Sequence, residues 1–142
     1  MKKCLLGIII GLLVIFALIL VWWNVPKSFI KDENSTSISS ISVFNGNSGN
    51  DFKIADKDSI QYVVNSIQGV SFKKSGISQF RMGYGYKLTF YDNNKNEIDI
   101  FIINSDNKIR KDPLFYSTAD NMKLVDFLND MENSILKEKG IE

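Results

Sequence analysis

The 142-residue chain predicts an α+β fold: an N-terminal transmembrane helix, then a small domain whose antiparallel sheet of four to five strands packs against two helices. Three observations carry this expectation. Leu5–Trp23 contains no charged residue. Ile60–Ile67 and Leu124–Ile135 repeat apolar residues at helical spacing, and Ile38–Phe44, Tyr84–Phe90 and Ile98–Ile102 alternate with period two. The predicted order is β-β-α-β-β-β-α, with 1–26 as anchor, 27–37 as a polar stalk and 38–142 as the domain.

Composition excludes several classes of chemistry. Lys and Arg total 17 against 16 Asp and Glu, so no charge imbalance points to nucleic acid. The chain has no histidine, and its only cysteine, Cys4, precedes the apolar run. Histidine acid–base catalysis, a cysteine nucleophile in the domain, thiolate metal sites and an internal disulfide are thereby excluded.

The apolar run spans about 28 Å as a helix, against roughly 30 Å of bilayer hydrocarbon. Its fourteen Leu, Ile, Val and Phe residues favour insertion by about 4–8 kcal/mol. Lys2, Lys3 and the amino terminus put positive charge before the run, while Lys27 and Lys31 beyond it are followed by Asp32 and Glu33, which predicts a cytoplasmic N-terminus and an external domain. Trp22 and Trp23 suit the outer interface, and Asn24-Val25-Pro26 ends the helix. A cleaved signal peptide carries a shorter apolar region and a small-residue cleavage site, which Trp22–Lys27 does not offer. Gly7 and Gly11 match G-x-x-x-G, a spacing that lets a second helix approach, so a homodimer through the membrane helix is a candidate.

In the domain, Ile38–Phe44 and Phe52–Ile54 flank a Gly/Asn turn and read as paired strands, with Ile41 and Val43 facing the core. Asp56 is positioned to cap a helix carrying Ile60, Val63, Val64 and Ile67 on one stripe, with Gly69 as a left-handed stop. Ser71–Met82 reads as irregular. A hairpin follows, with Asp92–Asn96 as its turn; pairing Phe90 with Ile98, Leu88 with Ile100 and Tyr86 with Ile102 unites the apolar faces. A second turn at Asn104–Asn107 leads to a short strand around Ile109. Ser117 or Thr118 is expected to cap a last helix with Leu124, Leu128, Met131 and Ile135 inward and Gly140 at its end.

Motifs with chemistry are few. Ser28-Phe29-Ile30-Lys31, Lys74-Ser75-Gly76 and Ser105-Asp106-Asn107 match the short motifs of penicillin-binding enzymes, but their order is wrong and the first lies at the membrane exit. Asp92, Asn94 and Asn96 have calcium-loop spacing, but Glu97 replaces the required glycine and Ile103 the final glutamate. Glu97 and Asp99 form a carboxylate pair that reads as a solvated face, balanced by Lys87 across the strands. Tyr84, Tyr86, Lys87 and Tyr91 are the candidate interaction surface; against this, Tyr84 and Tyr86 would fit beneath a helix with hydroxyls at the rim.

Lys2-Lys3 before a single span, Asp56-Lys57-Asp58-Ser59-Ile60 and Tyr86-Lys87-Leu88-Thr89-Phe90-Tyr91-Asp92 resemble a Firmicute family of membrane-anchored or exported domains of unknown function. The resemblance covers Ser37–Gly140. It implies an extracytoplasmic α+β domain and carries over no catalytic residues. The expectation is a membrane-anchored interaction module, protective, sensing or accessory to a membrane complex, that touches the lipid bilayer and an unidentified protein partner. No cofactor, metal or nucleic acid is expected. A cell-envelope enzyme working through carboxylates and hydroxyls, and a self-associating structural protein, are the alternatives.

Overall fold

The computed structural model describes residues 2–30, 37–79, 83 and 85–140. Helix α1 spans Lys2–Asn24. Its stretch Leu6–Asn24 is long and apolar enough to cross a membrane, and none of it is buried in the protein. The strands are β1 (Ile38–Asn45), β2 (Asp51–Ile54), β3 (Lys73–Ile77), β4 (Tyr86–Asp92), β5 (Glu97–Ser105), β6 (Lys108–Lys111) and β7 (Leu114–Ser117). Helix α2 (Lys57–Gln68) follows β2, and α3 (Leu124–Glu138) closes the chain. The fold is α+β, with one antiparallel sheet ordered β2-β1-β4-β5-β6-β7-β3.

Both domain helices cover one face of the sheet. From β2 to β7 that face presents Ile54, Ile41, Phe90, Leu88, Phe101, Ile103, Ile109 and Tyr116, all buried in one cluster. Helix α2 adds Ile60, Val63, Val64 and Ile67, the predicted stripe. Its first turn is capped as expected, the Asp56 carboxylate accepting from the Ser59 N–H at 2.8 Å. Helix α3 contributes Leu124 and Leu128, while Met131 and Ile135 pack at the cluster's edge. Tyr62 of α2 meets Phe127 of α3 with ring centres 4.4 Å apart, which ties the helices side by side.

The sheet has seven strands because two short ones carry no alternating signature. Ser71–Met82 is not wholly irregular: Lys73–Ile77 forms edge strand β3, and β7 pairs it to β6. Lys-Lys-Ser-Gly-Ile has one apolar residue, so periodicity does not mark it. Phe80, Arg81, Met82 and Tyr84 lie outside the described residues.

The hairpin register differs from expectation by one residue. Leu88 faces Phe101, Tyr86 faces Ile103, and Phe90 faces Asp99. Pairing shifts between Phe90 and Tyr91, where Tyr91 meets Glu97, so Ile98 is the extra residue of a bulge. The bulge lets Ile98 pack against the core on the same side as Phe101, while Ile100 and Ile102 turn to the other face, half-buried opposite Thr89 and Lys87. Phe101 decides the register. Its ring lies 5.4 Å from Phe90 and 5.6 Å from Phe29, both edge-on, and an aromatic buried among two others outweighs a branched residue at that position.

Two helix-end expectations are also corrected. Gly69 keeps right-handed helical geometry (φ −70°), its N–H donating to the Asn65 carbonyl, so no left-handed stop is needed there. Ser117 belongs to β7, and Thr118 turns its hydroxyl onto the Asp120 N–H. The α3 cap comes from Asp106, in the β5–β6 turn: its carboxylate accepts from the Val125 N–H at 2.8 Å and its carbonyl from the Met122 N–H at 3.0 Å. Asp106→Ala is therefore expected to lower stability by about 1 kcal/mol, and Asp106→Asn by much less, in urea titrations of the domain. Gly140 does end α3 in left-handed geometry, at φ +67°.

Candidate functional site

Two clusters combine polar side chains with burial. The first joins the β1–β2 turn, β4 and α3. Glu132 is 6% exposed and lies inward on α3 one turn beyond Leu128. One carboxylate oxygen accepts from Asn45 Nδ2 at 2.7 Å and Tyr86 Oη at 2.9 Å. The other accepts from Ser48 Oγ at 2.7 Å and Asn50 Nδ2 at 2.8 Å. The Tyr86 hydroxyl also lies 2.6 Å from Asn129 Oδ1, so its single proton is shared between two acceptors.

Electrostatics fix the ionisation of this cluster. Burial alone would raise the Glu132 pKa, but hydrogen bonds from Asn45, Asn50, Ser48 and Tyr86 outweigh it and hold the group below the usual glutamate value. Tyr86 moves the opposite way, pushed up by burial and by the adjacent carboxylate. With donors on both oxygens, Glu132 is a poor base at neutral pH. It pins α3 to the turn rather than moving protons.

The second cluster lies where α1 leaves for the domain. The first residues expected to form a polar stalk are instead part of the domain. Lys27 and Phe72 exchange backbone hydrogen bonds at 2.8 and 3.0 Å, antiparallel beside β3. Phe29 then lies edge-on to Phe72, Phe101 and Tyr116, at 5.3, 5.6 and 4.7 Å, and Ile30 is buried. Phe29 and Ile30 are the apolar pair in an otherwise polar stretch, and the free end of the core takes them. Residues 31–36 lie outside the described residues. Nζ of Lys74 donates to the Trp22 carbonyl and stands 3.6 Å from the centre of that indole. Burial, and then the nearby positive Lys27, lower the Lys74 pKa.

The predicted surface residues do not form one platform. Tyr86 is buried beneath α3 with its hydroxyl in the Glu132 cluster, as the helix-covered reading expects. Lys87 and Tyr91 are half-buried on the opposite face, and Tyr84 lies outside the described residues. Gly7 and Gly11 are exposed on α1, with open space beside each. Glu97 is exposed, whereas Asp99 crosses to the core side through the bulge and pairs with Lys111, not Lys87. The Lys111 ammonium lies 4.9 Å from the Phe101 ring centre. A cleft of about 340 Å³ opens along this edge, lined by Glu97, Ile100, Ile102, Arg110, Lys111 and Asp112. Asp92, the head of the calcium-like spacing, accepts from the Asn94 and Asn96 N–H groups at 2.8 Å each, closing the hairpin turn with its own amides.

Sequence reasoning missed Glu132, Asn45 and Lys74. Glu132 carries one available signal, an acidic residue standing at i+4 from Leu128 within the apolar stripe of α3. Lys74 carries none, because its partner Trp22 is 52 residues away. No protein-family profile, curated protein or solved structure matches the chain.

Proposed function

We propose that the chain is a single-span membrane protein whose domain works as a non-catalytic binding module on the outer face of the cytoplasmic membrane, held close to the lipid surface. The observation that carries this reading is the junction of α1 with the sheet. The apolar side chains of α1 from Leu6 to Val21 are uncovered, and its last turn is tied to β3 through Lys74, with Lys27 and Phe29 completing the attachment. A domain joined in this way has little reach into solution, so its partners are membrane proteins or envelope molecules at the same height. The absence of histidine from the chain and the saturated hydrogen bonding of Glu132 favour binding over catalysis. Kinship with the Firmicute anchored domains is part of the same proposal.

Protease treatment of intact spheroplasts tests the topology. Loss of the C-terminal domain with the N-terminus protected supports the reading; a mature chain in the medium, beginning after Trp23, contradicts it. Crosslinking of the full chain in membranes tests the binding role, and a reproducible crosslinked protein is the expected result.

A further inference from the structure

The exit of α1 carries positive charge that no acidic group answers among the described residues. An ammonium has three protons. That of Lys74 gives one to the Trp22 carbonyl and turns toward the indole face, leaving donor capacity on a side chain whose residue is only 6% exposed. Lys27 stands opposite Phe72 in the antiparallel bridge, and Lys74 is two residues further along that strand. The two lysines are thus diagonal neighbours on one side of the ladder. Lys27 is exposed, and its charge acts on Lys74. Among the described residues, the ion pairs join Arg110 to Asp112 and Lys111 to Asp99, so neither Lys27 nor Lys74 has an acidic partner there.

With α1 read as a membrane anchor, two ammonium groups beside its final turn, without an acidic partner among the described residues, fall at the depth of lipid headgroups, where tryptophan is also favoured. We propose that Lys27 and Lys74 together bind the phosphate of an anionic membrane lipid. Lys74 supplies a donor held in place by Trp22, and Lys27 supplies a mobile second charge. A zwitterionic lipid offers the same phosphate but carries its own cation, which the lysine pair repels. The proposal rests on the reading of α1 as a membrane anchor.

Trp22 and Trp23 are the only tryptophans and lie beside the site, so they report on it directly. The full chain is reconstituted into vesicles of phosphatidylcholine with a brominated lipid, either phosphatidylglycerol or phosphatidylcholine, and quenching gives a relative lipid affinity. At roughly 1 kcal/mol per lysine, the natural chain is expected to prefer the anionic lipid about 30-fold. Lys27→Gln with Lys74→Met should bring the preference close to one, and Lys27→Gln alone, an exposed change, should lower it about fivefold. Lys53→Gln in β2, at the opposite edge of the sheet, with Lys57→Gln at the start of α2 removes equal charge and should leave it unchanged.

Equal quenching by both lipids in the natural chain overturns the proposal, as does an equal loss in the Lys53/Lys57 variant. Inorganic phosphate is added to the chain in phosphatidylcholine vesicles, with chloride at matched ionic strength as control. If it raises the melting temperature as much as phosphatidylglycerol does, the site belongs to free phosphate and the lipid assignment falls. A chain that fails to sediment with vesicles refutes the anchor and the lipid site together. A chain that sediments but shows no lipid preference refutes the lipid site alone.

Discussion

Truncating Phe101 to alanine is expected to cost about 3–5 kcal/mol of unfolding free energy, while truncating its neighbour Ile100 costs about 1 kcal/mol. The contrast follows from the bulge at Ile98. Phe101 is fully buried between Phe90 and Phe29, and its loss opens a cavity that these two rigid rings cannot collapse to fill. Ile100 is half-buried on the other face, where no helix among the described residues covers the sheet. Urea unfolding of a fragment beginning at Lys27, monitored by circular dichroism, measures both. The register expected from alternation alone gives the reverse order, so the pair of variants also discriminates the two registers.

The second large effect concerns Glu132. Glu132→Gln replaces one acceptor oxygen by a donor amide, which faces donors already present on Ser48 and Asn50 or on Asn45 and Tyr86. A destabilisation of about 2–3 kcal/mol at neutral pH is expected. The native carboxyl has a lowered pKa, so its stabilising contribution is complete above the unfolded value of about 4.3 and is lost as pH falls through the lower folded value. Stability of the natural domain should therefore decline on acidification below about 4.5, and the gap to Glu132→Gln should narrow over the same interval. Urea midpoints of both proteins from pH 7 to pH 3 measure this; a gap independent of pH would assign the loss to packing.

Local signals made part of this fold legible. Helix α2 needs only Asp56 at its start and four apolar residues at helical spacing, and both lie within twelve residues of each other. The β1–β2 hairpin is equally local, since its turn chemistry and the alternation of Ile41 and Val43 agree. What was hidden depends on distant partners. The β4–β5 register follows from Phe29, which reaches Phe101 from beyond the expected domain boundary. The cap of α3 comes from Asp106, nineteen residues from the amide it holds. β3 exists because β7 offers it a ladder, not because Lys73–Ile77 has strand character of its own. The candidate site was the least visible part. Tyr86 could be placed under a helix, but Lys74 and Glu132 acquire meaning only once α1 and the β1–β2 turn are brought beside them.

The binding role proposed here depends on the helix exit being part of the folded domain instead of a loose tether. Hydrogen exchange at the Lys27 and Phe72 amides, in the full chain reconstituted into lipid nanodiscs, reads this junction directly, because each N–H donates to the other residue's carbonyl. Docking predicts that both amides exchange about 100-fold or more slower than an unstructured chain, corresponding to an opening free energy of about 3 kcal/mol. Exchange of the Lys27 amide at the unstructured rate, while the β4 amides stay protected, would show a domain swinging free of its helix and would contradict the account.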